Sequence, residues 1–223
     1  MRTVHFLTIG EAPRPDVTPE LLGFLGKAAV GVRVVEAGVL DGLTRDEVRE
    51  GAPRAGEMPL VSRLGSGEEV VLSESFVERR MARLAKGVPD GEVAGILCTG
   101  PFAGIAERPG LVKAGVAFDE ALRSACRDAG AESVGMLIPE RRQEADARRR
   151  VPFGLRCRVA VASPYADPGL AARACERFRD VDAIGLNCLG YTAALEAAVG
   201  TVTGQPVVLA RRALAAALRR RLA

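Results

Sequence analysis

The sequence predicts an α/β fold of two similar halves, each with a mainly parallel sheet flanked by helices. Two short apolar runs support this prediction, residues 94–98 and, about ninety residues later, residues 182–188. Each run ends on a cysteine, and a glycine stands two positions further on. Such runs are typical of buried strands in parallel sheets. Strand-like and helix-like segments also alternate along the 223 residues, which is the pattern of α/β folds.

The first half should begin with a strand, turn at a proline-rich loop and enter a helix at Thr18-Pro19, because proline suits the first helical turn. Thr44 and Glu47 have the spacing of a capping box that starts a short helix. An antiparallel β-hairpin is predicted around Gly65-Ser66-Gly67, as an insertion in an otherwise parallel chain. The expected strands are 3–9, 32–36, 60–64, 69–73 and 94–98, and the main later helix is 75–86.

The second half should repeat the alternation after a loop that runs from Cys98 to Gly110. Residues 140–150 are highly charged, and such a run is typical of a solvated helix face. The expected strands are 133–138, 155–161, 182–188 and 204–209, and the expected helices are 118–127, 140–150, 171–178, 192–199 and 211–222.

These elements give a prediction of two domains. Residues 1–112 should form the first α/β lobe, and residues 113–209 the second. The C-terminal helix, residues 210–223, is expected to return to the first lobe.

Composition argues against nucleic-acid and membrane partners. Basic residues number 31 and acidic residues 28, a balance too even to predict nucleic-acid binding. Trp is absent and Tyr occurs twice, so no aromatic platform for stacking bases is expected. No apolar run approaches the roughly 20 residues that a membrane span needs.

The cysteine pattern predicts a reducing compartment and no metal. The first ten residues are typical of a strand and lack the features of a signal peptide. We therefore expect a cytoplasmic protein whose five cysteines stay reduced. There is no Cys-x-x-Cys and a single histidine, His5, which argues against a zinc site.

Cys98 and Cys188 are the candidate catalytic residues. Each ends an apolar strand beside a glycine, where backbone amides carry partial positive charge that favours a thiolate. Ligands of open α/β sheets bind at this end of the strands. Free cysteine is also among the most buried residue types, so inert packing is an equally good interpretation of the pattern. For Cys126, Cys157 and Cys175, packing is the preferred interpretation.

Arg14 is the candidate carboxylate-binding side chain. It lies between the end of the first strand and the start of a helix, where backbone groups favour anions. A substrate carboxylate could therefore be clamped there. On its position alone, a solvated loop arginine is the somewhat better interpretation.

Several motifs resemble the AroM family, and the match spans nearly the whole chain. They are Thr8-Ile9-Gly10 with residues 13–17, residues 41–43, the hairpin after Gly56-Glu57, residues 97–102, residues 135–139, and residues 187–191. Members often carry Asp before the second cysteine, whereas this chain has Asn187. The change removes a negative charge that could have acted as a base or repelled a thiolate.

The family resemblance implies an architecture similar to the aspartate/glutamate/hydantoin racemase superfamily. Those enzymes use no cofactor and place two cysteines, one from each half, on opposite faces of a substrate carbon. The resemblance implies Cys98 and Cys188 for those positions. The wider group also includes maleate isomerases and arylmalonate decarboxylases, so the resemblance does not fix the reaction.

Two functional hypotheses follow. The first is a cofactor-independent racemase or isomerase that acts on a small carboxylate-bearing metabolite with two thiols. The second is a non-catalytic metabolite-binding or regulatory protein that uses the same inter-lobe cleft. A homo-oligomer is compatible with either. The expected substrate-binding residues are Thr8, Gly10, Arg14, Thr99, Gly100, Gly190, Tyr191 and Thr192.

Overall fold

The computed structural model describes residues 2–223, and these form two compact units. One unit comprises the described residues up to Ala114 together with Leu214–Ala223, and the other is Gly115–Ala213. Each contains a parallel sheet with helices. The predicted fold class, α/β with mainly parallel sheets and an inserted hairpin, is confirmed.

The first unit alternates strands and helices from its first described residue. Its elements are β1 (Arg2–Thr8), α1 (Thr18–Leu25), β2 (Val32–Gly38), α2 (Arg45–Glu50), β3 (Pro59–Arg63), β4 (Glu69–Ser73), α3 (Glu74–Gly87), β5 (Val93–Leu97) and β6 (Leu111–Lys113). A short 3-10 turn, Gly26–Ala29, follows α1.

The main sheet of this unit has the order β2-β1-β5-β6, with parallel pairing throughout. All five residues of β5 are buried, because this inner strand is covered on both faces. Leu218 of the C-terminal segment packs beside Gly95, where an added Cβ would lie 3.2 Å from its Cδ1. The strand that ends at Cys98 is therefore anchored in the core of its unit.

Strand β6 is absent from the sequence prediction, which placed a loop up to Gly110. It has three residues and ends on Lys113, so it is too short to show a periodic apolar pattern. The following helix consequently starts at Ala114, four residues earlier than predicted.

The predicted hairpin is present, and it pairs β3 with β4 in antiparallel register, from Pro59 with Ser73 to Arg63 with Glu69. Gly67, in the connecting turn, has φ of +90°, a conformation that a side chain disfavours. Leu60 and Leu72 are buried and belong to the core around β5. The hairpin is thus packed onto its unit through one apolar face.

The second unit repeats the alternation. Its elements are α4 (Ala114–Asp128), β7 (Ser133–Ile138), α5 (Glu144–Arg150), β8 (Arg156–Val161), α6 (Pro168–Cys175), β9 (Ala183–Leu186), α7 (Ala193–Thr203), β10 (Val207–Leu209) and α8 (Ala210–Leu222). The division between the units falls at the first residue of α4 and within α8.

The two parallel sheets have the same strand order. The second reads β8-β7-β9-β10, so β7, β8, β9 and β10 correspond to β1, β2, β5 and β6. The inner strands β5 and β9 are each fully buried. Cys98 and Cys188 follow these corresponding strands.

The charged segment 140–150 is not wholly a solvated face. The Arg150 side chain is 7% exposed and pairs with Asp146 and Asp119 at 2.9 and 3.0 Å. Burial raises the pKa of Asp119, and the nearby arginines offset this only in part. Arg148 and Arg149 are exposed as predicted. Arg150 instead ties α5 to α4.

Among residues 2–223, none of the helices combines the length and apolar character needed to cross a membrane.

A matched pair of glycines tests the packing of the second unit. A Cβ at Gly135 in β7 would lie 2.6 Å from the buried ring of Phe178, so Gly135→Ala should lower the free energy of unfolding by about 1–3 kcal/mol. At Gly200 in α7 the nearest neighbour would be 3.8 Å away, so Gly200→Ala should raise it by about 0.5–1 kcal/mol. Urea unfolding measures both, and equal effects would contradict the packing described.

Candidate functional site

The first candidate thiol lies in a tight turn directly after β5. The Gly100 amide donates a hydrogen bond to Cys98 Sγ at 3.3 Å. The buried ring of Phe102 lies against Gly100, and a Cβ there would come 3.0 Å from the ring. The absence of a side chain at Gly100 therefore lets Phe102 close over the turn.

The second candidate thiol lies in the same kind of turn after β9. The Gly190 amide donates to Cys188 Sγ, also at 3.3 Å, and the Tyr191 amide donates to the Cys188 carbonyl at 3.3 Å. A Cβ at Gly190 would lie 2.5 Å from Pro164 Cγ. Glycine is therefore required by the packing of this turn as well.

In both turns the amide–sulfur contact favours the negatively charged thiolate. The two sulfurs differ in exposure, since Cys98 is buried and Cys188 is half-buried. Each unit thus has one thiol just beyond the carboxyl end of an inner strand, and a glycine amide donates a hydrogen bond to its sulfur.

The three other cysteines lack this arrangement and are less ready to ionise. Burial raises the pKa of Cys175 to about 12. Burial also raises the pKa of Cys126 and of Cys157, and at Cys157 the charge of Arg148 offsets part of the rise. Cys157 is half-buried in β8. These properties support packing roles for all three.

Arg14 is not a solvated loop arginine, since it is 4% exposed. Its Nε and Nη2 donate to the two carboxylate oxygens of Asp16 at 2.9 and 2.8 Å, and its Nη1 donates to Thr8 Oγ1 at 2.8 Å. The Gly10 amide donates to the same Thr8 oxygen at 3.2 Å. Hydrogen bonds therefore join Thr8 with Gly10 and Arg14, and Asp16 already shares the guanidinium.

Ser62 reaches this group from the hairpin and was not predicted. A Cβ at Gly10 would lie 2.5 Å from Ser62 Oγ and 3.5 Å from Arg14 Nη1. Ser62 Oγ is buried, with no hydrogen-bond partner among the described residues. The only sequence signal was a polar residue in the apolar strand β3.

Two predicted binding residues have their side chains engaged in the fold. The hydroxyl of Tyr191 donates to the Ala162 carbonyl at 2.8 Å, and complete burial raises the pKa of Tyr191 well above 10. Thr192 caps α7, with Oγ1 accepting from the Leu195 amide at 3.2 Å. Thr99 is buried in the Cys98 turn.

A cavity of about 330 Å³ adjoins the Cys188 turn within the second unit. Gly190, Tyr191 and Thr192 form one wall, and alanines of α6 and α7 form much of the rest. Such an apolar cavity suits the hydrocarbon part of a small ligand.

Two buried cations beside the turns were also missed by sequence reasoning. Lys113 Nζ donates to the carbonyls of Phe102 and Ile105 at 3.2 and 2.6 Å and pairs with Glu107 at 2.8 Å. Arg211, 1% exposed, donates to the carbonyls of Leu189 and Gly190. Lys113 lay between the predicted loop and the helix predicted to start at residue 118, and Arg211 was the first residue of the predicted C-terminal helix.

No group of three or more His, Cys, Asp or Glu side chains that could hold a metal ion occurs in the part of the chain that the structure describes.

A family model described as AroM protein matches residues 4–222. The chain belongs to the AroM family. This confirms the resemblance that the separate motifs indicated over nearly the whole chain. No curated protein matches it.

Solved structures similar to this AroM chain include a glutamate racemase from Aquifex pyrophilus, at 13% identity and a TM-score of 0.57, covering 98% of this chain and 83% of that one. A maleate isomerase from Pseudomonas putida is 15% identical with a TM-score of 0.53, covering 99% and 93%. A maleate cis-trans isomerase variant from Nocardia farcinica, with a covalently bound succinylcysteine intermediate, is 16% identical with a TM-score of 0.53, covering 99% and 92%. At these identities the likeness shows the Asp/Glu racemase-like fold.

The pairing of Arg14 with Asp16 gives a test by pH. Burial raises the pKa of Asp16, but the hydrogen bonds and charge of Arg14 outweigh it and hold the pKa below the usual 3.8. A depressed carboxyl pKa stabilises the fold above the unfolded-state value and loses that effect as pH falls through the folded-state value. Stability of the wild type should therefore drop below about pH 4 more steeply than that of Asp16→Asn.

Urea unfolding midpoints between about pH 6 and pH 2 measure this difference. Asp90→Asn, at a fully exposed carboxyl, is the matched control and should keep the wild-type slope. An Asp16→Asn protein with the wild-type slope would contradict the ion pair.

Proposed function

We propose that this chain is a cofactor-independent racemase or isomerase that acts on a small carboxylic acid, with Cys98 and Cys188 as its acid–base pair. The observation that supports this most directly is the repetition of one turn. Each cysteine follows the corresponding inner strand of its unit, and each sulfur accepts a hydrogen bond from the amide two residues on.

The proposed reaction moves two protons. One cysteine, as the thiolate, removes the proton from the carbon next to the substrate carboxylate and becomes a thiol. The electron pair of the broken C–H bond is held as an enolate-like dianion, and the other thiol gives its proton to the opposite face of that carbon. The product has inverted configuration, and the two cysteines have exchanged protonation states.

The remaining predicted residues bind the carboxylate and the developing charge in this proposal. Arg14, Thr8 and Gly10 form the polar group of the first unit that would contact a substrate carboxylate, with Asp16 sharing the arginine. Backbone amides after Cys98 and Cys188, together with the hydroxyls of Thr8, Thr99 and Thr192, are the proposed donors to the enolate oxygen.

The structural neighbours support this class of chemistry. One is a glutamate racemase, and another carries a succinyl group on a cysteine. Glutamate and maleate are small acids with two carboxylates. A small dicarboxylate is therefore the substrate class with which to begin a search.

A binding protein without catalysis is the second candidate. The cavity beside the Cys188 turn favours it, because its lining is apolar and it includes no acid–base side chain other than the buried Tyr191. In this case the thiols would serve packing or ligand contact, and neither would need to ionise at neutral pH.

The two-thiol mechanism predicts that both cysteines are indispensable. With a panel of small chiral acids and maleate in deuterium oxide, proton NMR should show deuterium at the carbon next to the carboxylate. Cys98→Ser and Cys188→Ser should each slow the exchange by about a thousandfold or more, and Cys157→Ser should leave it unchanged. Full turnover in either serine variant, or turnover without deuterium uptake, would eliminate the mechanism.

Alkylation with iodoacetamide separates the enzyme from the binding protein. At about pH 6 an ordinary thiol is almost fully protonated and reacts slowly. The enzyme hypothesis expects at least one of Cys98 and Cys188 to be labelled at least about tenfold faster than Cys157, as read by peptide mass spectrometry. Labelling of all three at one rate would favour the binding protein.

A further inference from the structure

Arg211 is a fully buried cation in a position that neither burial nor helix electrostatics favours. It is 1% exposed and is the second residue of α8. A cation near a helix N-terminus is repelled by the helix dipole, and removing a guanidinium from water is unfavourable unless its donors are satisfied. The contacts that hold Arg211 there must therefore be strong ones.

These contacts are with the backbone of the Cys188 turn. Arg211 Nε donates to the Leu189 carbonyl at 2.5 Å, and Nη2 donates to the Gly190 carbonyl at 3.1 Å. The planar guanidinium thus donates hydrogen bonds to the carbonyls of two consecutive peptides. A lysine ammonium cannot reproduce this geometry.

The first of these peptides also contacts the sulfur. Its carbonyl belongs to Leu189 and accepts from Arg211, while its N–H belongs to Gly190 and donates to Cys188 Sγ at 3.3 Å. A charged donor on the carbonyl polarises the peptide and strengthens its N–H as a donor. Arg211 therefore acts on the Cys188 sulfur indirectly, by polarising the one peptide that contacts both groups.

Lys113 provides the counterpart in the first unit, but its contact is less direct. It binds the carbonyls of Phe102 and Ile105 and pairs with Glu107. Phe102 in turn packs against Gly100, whose amide donates to Cys98 Sγ. Lys113 therefore binds the loop that follows the turn, at Phe102, Ile105 and Glu107.

We propose that Arg211 is a positioning residue that orients and polarises the Leu189–Gly190 peptide, so that Cys188 ionises at a lower pH than Cys98 and is the thiolate of the resting pair. The half-exposure of Cys188 acts in the same direction, because burial of Cys98 disfavours its charged form. The role in catalysis rests on the proposed function, whereas the effect on Cys188 does not.

The test follows the alkylation rate of each cysteine against pH in the full chain, read by peptide mass spectrometry. In Arg211→Gln, which removes the charge, alkylation of Cys188 at about pH 7 should slow roughly tenfold and its pH midpoint should rise. The Cys98 profile should stay unchanged. Arg211→Lys, which restores charge without the fork, should recover part of the Cys188 rate.

Lys113→Gln is the matched control and should leave Cys188 unaffected. Near-ultraviolet circular dichroism checks that each variant is folded. An unchanged Cys188 profile in folded Arg211→Gln, or an equal shift at Cys98, would overturn the proposal.

The wild type supplies an independent measurement if the Arg211 variants do not fold. Its Cys188 midpoint must lie at lower pH than its Cys98 midpoint, and the reverse order would overturn the proposal. None of these measurements needs a substrate. Failure of the two-thiol mechanism, seen as turnover in a serine variant, is therefore distinguishable from failure of this inference.

Discussion

The hydrogen bond from a glycine amide to a cysteine sulfur is the interaction on which both candidate turns depend. In each turn the donor is a glycine two positions after the cysteine. Phe102 fills the space beside Gly100, and Pro164 fills the space beside Gly190. The packing thus excludes a side chain at Gly100 and at Gly190, the residues whose amides donate to the two sulfurs.

The repeated strand order explains why this turn occurs twice. In both sheets the cysteine strand is an inner strand, placed between β1 and β6 or between β7 and β10. Parallel pairing puts the ends of β1 and β5 side by side, so Thr8 and Leu97 are neighbours in register. Loops that are distant in sequence, such as those of Arg14 and Cys98, therefore leave the same edge of one sheet.

The sequence was sufficient for the fold, because fully apolar strands such as β5 and β7 and the capping box at Thr44 depend on local pattern. It also located both cysteine turns from a short repeated motif. It could not locate β6, which is three residues long. Nor could it pair Arg14 with Asp16 or find the carbonyl contacts of Arg211, since these depend on tertiary packing and charged residues are usually solvated.

The different hydrogen-bonding environments of Cys98 and Cys188 bear on the proposed acid–base pair. An acid–base pair works only in molecules that hold one thiol and one thiolate. Two independent thiols with equal ionisation reach that state in at most about half of the molecules. Unequal environments widen the pH range over which most molecules hold one thiol and one thiolate. They also make the same cysteine the thiolate in most molecules, so proton removal would begin on one face of the substrate. In the proposed racemase or isomerase, the reaction would begin with Cys188 as the thiolate, and turnover in the opposite direction would begin with Cys98 in that state.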